Sequence, residues 1–156
     1  MKITLILTGK TEESYLKEGI ETYEKRLKHY LPLQIITIAA LKNTKTLNME
    51  QQKIMEGALI LKNINSTDML ILLDETGKQL TSVEFSNYIQ KNRSISKNLV
   101  FVIGGAYGVS REVYKRASDK IALSKMTFSH QMVRLFYMEQ LYRSMTIVKG
   151  EKYHHI

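Results

Sequence analysis

The residues of this chain best suited to chemistry fall in a few short stretches. Val102-Ile103-Gly104-Gly105-Ala106-Tyr107-Gly108 is an apolar run ending in closely spaced glycines. Glycine lets backbone approach a ligand and permits positive φ, and the carboxyl end of a strand is where open α/β sheets bind ligands. The spacing is not the dinucleotide fingerprint, and no Lys-Ser/Thr follows as a P-loop requires. The cluster therefore reads either as a ligand turn of another kind or as a tight strand–helix connection. Leu123-Ser124-Lys125-Met126-Thr127-Phe128-Ser129-His130-Gln131 is a polar connection leading into a helix. His130 falls at the helix N-terminus, whose positive dipole end disfavours an imidazolium. A neutral imidazole can accept a proton; the plainer role is a helix cap.

Arg134, Glu139, Gln140 and Arg143 interrupt a helix that is otherwise apolar. Arg143 stands at i+4 from Glu139, the spacing of an intrahelical ion pair. The alternative is that the arginines hold RNA phosphate or shape a site across a dimer. The stretch Lys149-Gly150-Glu151-Lys152-Tyr153-His154-His155-Ile156 mixes basic, aromatic and imidazole groups. Such a terminus is expected to fray, or to order on RNA, since Tyr stacks on bases and His and Lys meet phosphate. His154 and His155 are adjacent and lack helical ligand spacing, so no metal site is expected. Asp74 and Glu75 close a strand. Neighbours on a strand face opposite sides, which predicts a solvated or capping role rather than an acid/base pair.

The elements that must position these groups alternate along the chain. Ile3 to Leu7 reads as a buried strand ending in Thr8-Gly9-Lys10. Thr11 is placed to cap a helix with Glu12 and Glu13 in its first turn, and Leu16, Ile20, Tyr23, Leu27 and Tyr30 form its apolar stripe. Pro32 ends that helix, and Leu33 to Ala39 reads as a second strand. A helix follows from about Asn48 to Asn63 with Ile54, Ala58 and Leu61 on one face. Met69 to Leu73 has the continuous apolar character of a central parallel strand. Thr81 and Glu84 form a capping-box pattern for a helix to about Lys91. Leu99 to Ile103 is another buried strand, Ser110 opens a short helix to Ala117, and Lys120 to Leu123 is a last short strand. The final helix runs from about His130 to Lys149. Its apolar residues cover most of the circumference, so it must be buried on more than one side. Strand and helix alternate throughout, which predicts an α/β fold with a mostly parallel sheet and helices on both faces.

With 156 residues, 44% apolar and 24% charged, the chain has ordinary globular composition and reads as a single domain over 1–156. The absence of Cys removes disulfides and thiolate chemistry and fits a reducing cytoplasm. No apolar run reaches the roughly 18 residues of a membrane span, and the start lacks the pattern of a signal peptide. The net charge is +8. The residues through Lys78 carry 11 basic and 10 acidic side chains, and the remainder 12 and 5. A basic field concentrated beside the glycine cluster points to a polyanionic partner, RNA above all.

Together, MKITLILTGK, LDETGKQLTS, VIGGAYG, LSKMTFSHQMVRLFYMEQLYR and GEKYHH resemble, in order and over nearly the whole chain, the bacterial ribosomal RNA large subunit methyltransferase H family. Its members are pseudouridine N3-methyltransferases of the SPOUT class. The resemblance implies a SPOUT fold with a deep C-terminal trefoil knot, a homodimer, S-adenosylmethionine as methyl donor, and a pseudouridine of 23S rRNA in the ribosome as acceptor. By position it implies cofactor contacts at Leu73, Gly104, Gly105, Leu123, Ser124, Lys125, Met126, Thr127 and Phe128. His130 or His154 is the candidate base, with Arg134, Arg143 and Tyr153 placing RNA. Ser129 stands where the family often has Pro, Ser144 replaces a usual Ala, and His155-Ile156 replaces a single basic residue. Two other readings stay open. One is a SPOUT enzyme acting on a ribose 2′-OH or on tRNA; the other is a catalytically silent RNA-binding or ribosome-assembly factor, which would bind RNA but no S-adenosylmethionine.

Overall fold

Short apolar runs joined by amphipathic helices bury both kinds of surface at once when the strands form a parallel sheet covered on each side. The computed structural model describes residues 2–96 and 98–155 and has this form. Its elements are β1 (Lys2–Thr8), α1 (Ser14–Leu27), β2 (Leu33–Ile38), a 3₁₀ turn (Thr44–Thr46), α2 (Met49–Lys62), β3 (Met69–Gln79), α3 (Ser82–Ile95), β4 (Asn98–Ile103), α4 (Arg111–Arg116), β5 (Asp119–Ala122) and α5 (Met132–Val148). The five strands lie in the order β2-β1-β4-β3-β5, and each pairing is parallel.

Side chains alternate across the sheet, and the two cores follow that period. Ile3, Leu5 and Leu7 of β1 and Leu99, Phe101 and Ile103 of β4 face a core completed by α1, α3 and α5. Ile6, Val100 and Val102 face the other core, with Ile60 of α2 and Val113 of α4. Helix α5 lies between α1 and α3. Tyr137, Met138 and Leu141 are inaccessible to solvent, and the Tyr137 ring packs 5.0 Å from that of Phe101. Sitting between two helices and a sheet accounts for the nearly all-round apolar character of α5.

Several local expectations change. Helix α1 starts at Ser14 after Glu13, with no side-chain cap. The Thr11 hydroxyl instead accepts from Arg134. The capping box of Thr81 and Glu84 forms; a second one, Asn48 with Gln51, opens α2 and went unread. The buried face of α2 is not the one its apolar residues predict. Ile54 is 47% exposed, while Ile60 is 1% exposed and Gly57 is buried. The reason is a close approach to the start of α4. A Cβ on Gly57 would stand 2.3 Å from Ser110 Oγ, and Ser110, the cap of α4, is wholly buried. Contact through a missing side chain is invisible to hydrophobic periodicity.

Inside a helix, Gly to Ala ordinarily gains about 1 kcal/mol. Gly57→Ala is expected to do the opposite, losing about 1–3 kcal/mol through overpacking against Ser110 and Val113. Urea unfolding of the variant decides the sign, and a gain in stability would show that α2 and α4 have room to spare.

Candidate active site

The chain leaves β3 for α3 on one face of the sheet and leaves the adjacent β4 for α4 on the other. Diverging connections of this kind open a crevice at the carboxyl ends of the strands. A cavity of about 530 Å³ lies there, within the range of small-molecule sites. Its floor is the strand ends Leu72, Ile103 and Ile121; its walls are the turn 104–109, residues 73–76 and the connection 123–130.

Of the residues singled out from sequence, Leu73, Gly104 and Gly105 border the cavity, as do Leu123, Ser124, Met126, Thr127, Phe128 and His130. Lys125 does not; it is exposed on the outer side of the same connection. In the glycine turn, Gly108 N–H donates to the Gly105 carbonyl at 3.0 Å and Gly108 has φ +84°. A Cβ on Gly104 would meet Val109 Cγ1 at 2.9 Å and the Gly108 carbonyl at 3.0 Å. Backbone therefore forms this wall because no side chain fits behind it. At Gly105 the nearest atoms, on Thr8 and Glu56, are at ordinary contact distance.

Asp74 and Glu75 correct the sequence reading. Strand alternation would send them to opposite faces, but the β3–β5 ladder slips: Leu73 and Lys78 both pair with Ile121. Residues 74–77 are thus expelled as a bulge, and both carboxylate residues border the cavity. Thr76 donates to Asp74 Oδ1 from its amide at 2.8 Å and its hydroxyl at 2.6 Å, and the Tyr114 hydroxyl donates to Oδ2. Burial pushes the Asp74 carboxyl up, but these hydrogen bonds, with Lys120 nearby, outweigh it and hold Asp74 below the usual carboxylate value. The Thr127 hydroxyl donates to Glu75 Oε2 at 2.6 Å, tying the bulge to the connection 123–130. Tyr107, inside the glycine stretch, also borders the cavity, as do Tyr114 and Met49, which no motif or spacing in the sequence marks.

His130 does not cap α5. The cap position is Gln131, without a side-chain cap bond, and the Ser129 hydroxyl just before it accepts from Met132 N–H at 3.0 Å. Burial, and then the charge of Arg134, hold His130 below its ordinary pKa, with Glu12 opposing. The imidazole is neutral, for a reason other than the helix dipole.

Arg134 cannot place RNA, because it is wholly buried. Its Nη2 donates to the Thr8 carbonyl at 2.8 Å and its Nη1 to the Gly9 carbonyl at 2.9 Å. Nη1 also reaches Thr11 Oγ1 at 3.1 Å, and Nε donates to the His130 carbonyl at 3.1 Å. These bonds clamp the start of α5 to the end of β1.

The remaining candidates gather elsewhere. Arg143 pairs with Glu139 at 2.6 Å, as the i+4 spacing predicted. The Tyr153 hydroxyl donates to the same carboxylate at 3.0 Å, and Tyr153 packs 4.8 Å from the Tyr142 ring. Arg143 Nη1 donates to His154 Nδ1 at 3.1 Å. The terminus is therefore folded onto α1 and α5 without RNA, Tyr30 donating to Glu151 at 2.7 Å as well; Ile156 lies outside the described residues. Met132 and Arg143 are about 16 Å apart along α5 at 1.5 Å per residue. One chain does not bring Arg143, Tyr153 and His154 to the cavity that His130 borders. Among the described residues, no group of three His, Asp or Glu could hold a metal ion, and no helix is long and apolar enough to cross a membrane.

Comparison with known proteins adds to this geometry. A family model described as "Predicted SPOUT methyltransferase" matches residues 1–154. A protein of Cytophaga hutchinsonii is 58% identical, covering 99% of this chain and 100% of its own. Proteins of Christiangramia forsetii and Parabacteroides distasonis are 55% and 54% identical, each covering 99% of both chains. All three are named "Ribosomal RNA large subunit methyltransferase H".

Two outcomes follow from the clamp and its neighbour. Arg134→Leu strands the Thr8 and Gly9 carbonyls and is expected to cost about 3 kcal/mol or more in urea unfolding; wild-type stability would show the clamp to be dispensable. As pH falls, the unfolded chain protonates His130 near its ordinary 6.5 and the folded chain only at lower pH. The His130 contribution is thus present above pH 6.5 and lost on going down through that window. His130→Gln should flatten the fall in stability between pH 7 and 5, and an unaltered slope would mean that the ring is hydrated.

Proposed function

This chain belongs to the SPOUT methyltransferase family, and we propose on that basis that it transfers the methyl group of S-adenosylmethionine to N3 of a pseudouridine in 23S rRNA of the ribosome or large subunit, in the cytoplasm and as a homodimer. The observation that carries the proposal is the cavity at the carboxyl ends of β3 and β4, walled by backbone at 104–108 and by the connection 123–130. The full-length relatives named as large-subunit rRNA methyltransferases support the substrate class, and the excess of basic charge after Lys78 suits an RNA partner.

The cavity fits the donor. Its volume is adequate, its floor is apolar for the adenosine, and Gly104 leaves room only for backbone. Leu73, Gly104, Gly105, Leu123, Ser124, Met126, Thr127 and Phe128 would hold the donor, with Lys125 contributing backbone. When bound, S-adenosylmethionine supplies an electrophilic methyl group that needs no metal. The protein must then align the acceptor nitrogen about 3 Å from that carbon and take up the N3 proton.

His130 is the proton acceptor in this reading, since it borders the cavity and burial keeps it neutral. The His154 Nδ1 is occupied by the Arg143 donor, which leaves Nε2–H as a donor. His154 therefore binds rather than deprotonates, with Arg143 and Tyr153 positioning RNA. Because Arg143 lies about 16 Å along α5 from Met132 at the cavity end of the helix, and Tyr153 and His154 are held beside it, the three serve the cavity best from a second copy of the chain. The exposed Phe128 and Phe136, 5.0 Å apart, offer an apolar contact for such a copy. Family membership also supports the C-terminal trefoil knot. The connection 123–131 leaves β5 at the sheet edge and is bonded beside β1 through Gln131 and Arg134, as a threaded terminus requires.

S-adenosylmethionine at about 100 times its Kd should stabilise the protein by about 2.7 kcal/mol, a rise in Tm of roughly 5–10 °C. No rise, with RNA still bound, would favour the silent RNA-binding factor. Mass spectrometry of rRNA nucleosides from a deletion strain should lose N3-methylpseudouridine; loss of a 2′-O-methyl or tRNA nucleoside instead would move the substrate. His130→Gln should slow methylation of ribosomes at least tenfold with donor affinity unchanged, and a wild-type rate would remove His130 as the acceptor.

A further inference from the structure

The chain carries 23 basic side chains against 15 acidic ones, yet among the described residues no Lys or Arg borders the cavity. The carboxylate residues that border it are Asp74 and Glu75. Neither forms an ion pair among the described residues. Asp74 is held by Thr76 and Tyr114, and Glu75 by Thr127, all uncharged donors. Lys120 stops short, its ammonium 3.4 Å from the Thr76 hydroxyl. Hydroxyl and amide donors fix the two carboxylates in place, and the nearby Lys120 ammonium bonds to neither. A basic protein therefore presents two carboxylates at the wall of this cavity, through a bulge that the β3–β5 register shift creates.

Methyl transfer changes the charge of the donor. The S–CH₃ bond breaks with its electron pair staying on sulfur, so S-adenosylmethionine, net +1, becomes S-adenosylhomocysteine, net zero. We propose that Asp74 and Glu75 are specificity-determining residues that make the cavity select the sulfonium donor over its thioether product by charge. This rests on the reading of the cavity as the donor site. The product has lost the sulfonium charge and the carboxylates attract it less, so spent cofactor is displaced by fresh donor. The same attraction steadies the reactant and slows the transfer step slightly, so the gain is in exchange rather than in chemistry.

A unit charge about 8 Å away, at an effective dielectric constant of about 40, between the protein-surface and bulk-water values, changes affinity roughly fivefold. Glu75→Gln keeps the shape and an oxygen acceptor for the Thr127 hydroxyl; Asp74→Asn keeps the shape and an oxygen for Thr76, and turns its NH2 to the Tyr114 hydroxyl, which can accept. The experiment is calorimetric binding of S-adenosylmethionine, S-adenosylhomocysteine and sinefungin, whose amine carries a positive charge near the sulfonium position, to the full chain. Each variant should narrow the preference for S-adenosylmethionine over S-adenosylhomocysteine about fivefold. Affinity for S-adenosylhomocysteine should hold within about twofold, and sinefungin should weaken along with the donor. In the wild-type protein, raising salt from about 0.05 to 0.5 M should shrink the same preference, a measurement that needs no variant. An unchanged preference in both variants, or equal loss for all three ligands, would overturn the proposal while leaving the cavity as the donor site. A wild-type protein that binds none of the three would instead overturn the proposed function, and this inference with it.

Discussion

A guanidinium shut away from water holds the functional region together. Arg134 is the first charged residue of α5, yet it points into the protein and donates to two carbonyls at the end of β1, to Thr11 and to the carbonyl of His130. Desolvating a cation is costly, and no carboxylate pairs with it directly; Glu12 is the nearby opposite charge. The cost is offset because the carbonyls of Thr8 and Gly9, where the chain turns away from the sheet with φ +77° at Gly9, would otherwise lack donors. Once the start of α5 is pinned beside β1, the chain from β5 at the sheet edge must lie across the ends of the strands. That path forms the cavity wall and half-buries His130, which lowers its pKa.

Charge is sorted on the same plan. Basic side chains are spread over the exterior, most of the excess after Lys78, where they suit a phosphate backbone at long range. The cavity is lined instead by apolar strand ends, glycine backbone and two carboxylates. The outer field and the inner site thus suit partners of opposite charge.

The α5 helix divides the labour along its length. Its first turn belongs to the cavity through His130 and Val133; its later turns carry the network of Glu139, Arg143, Tyr153 and His154. Tyr23 and Tyr142 pack against that network, so the terminus is ordered by contacts within the chain. Glu139 is the hub, accepting from both Arg143 and Tyr153.

Much of this was legible in the amino-acid order. The alternation of elements, the β4 turn at Gly104–Gly108, the polar connection 123–131 and the Arg143–Glu139 pair each follow from periodicity or spacing, which are local properties. The partners of long polar side chains did not follow. Arg134 looked like an RNA ligand, because nothing in the order of residues says that the end of β1 will stand opposite it with free carbonyls. Asp74 and Glu75 looked like residues on opposite faces of a strand, because the slip that expels them is imposed by pairing with β5, some forty residues on. Ile54, Ala58 and Leu61 point to a different face of α2 from the one that is buried, because Gly57 makes the contact with α4 without a side chain. Periodicity tells which side of an element is buried only when side chains make the contact. Which polar atom meets which, and where a ladder breaks, is decided by segments distant in sequence, and so by the tertiary structure alone.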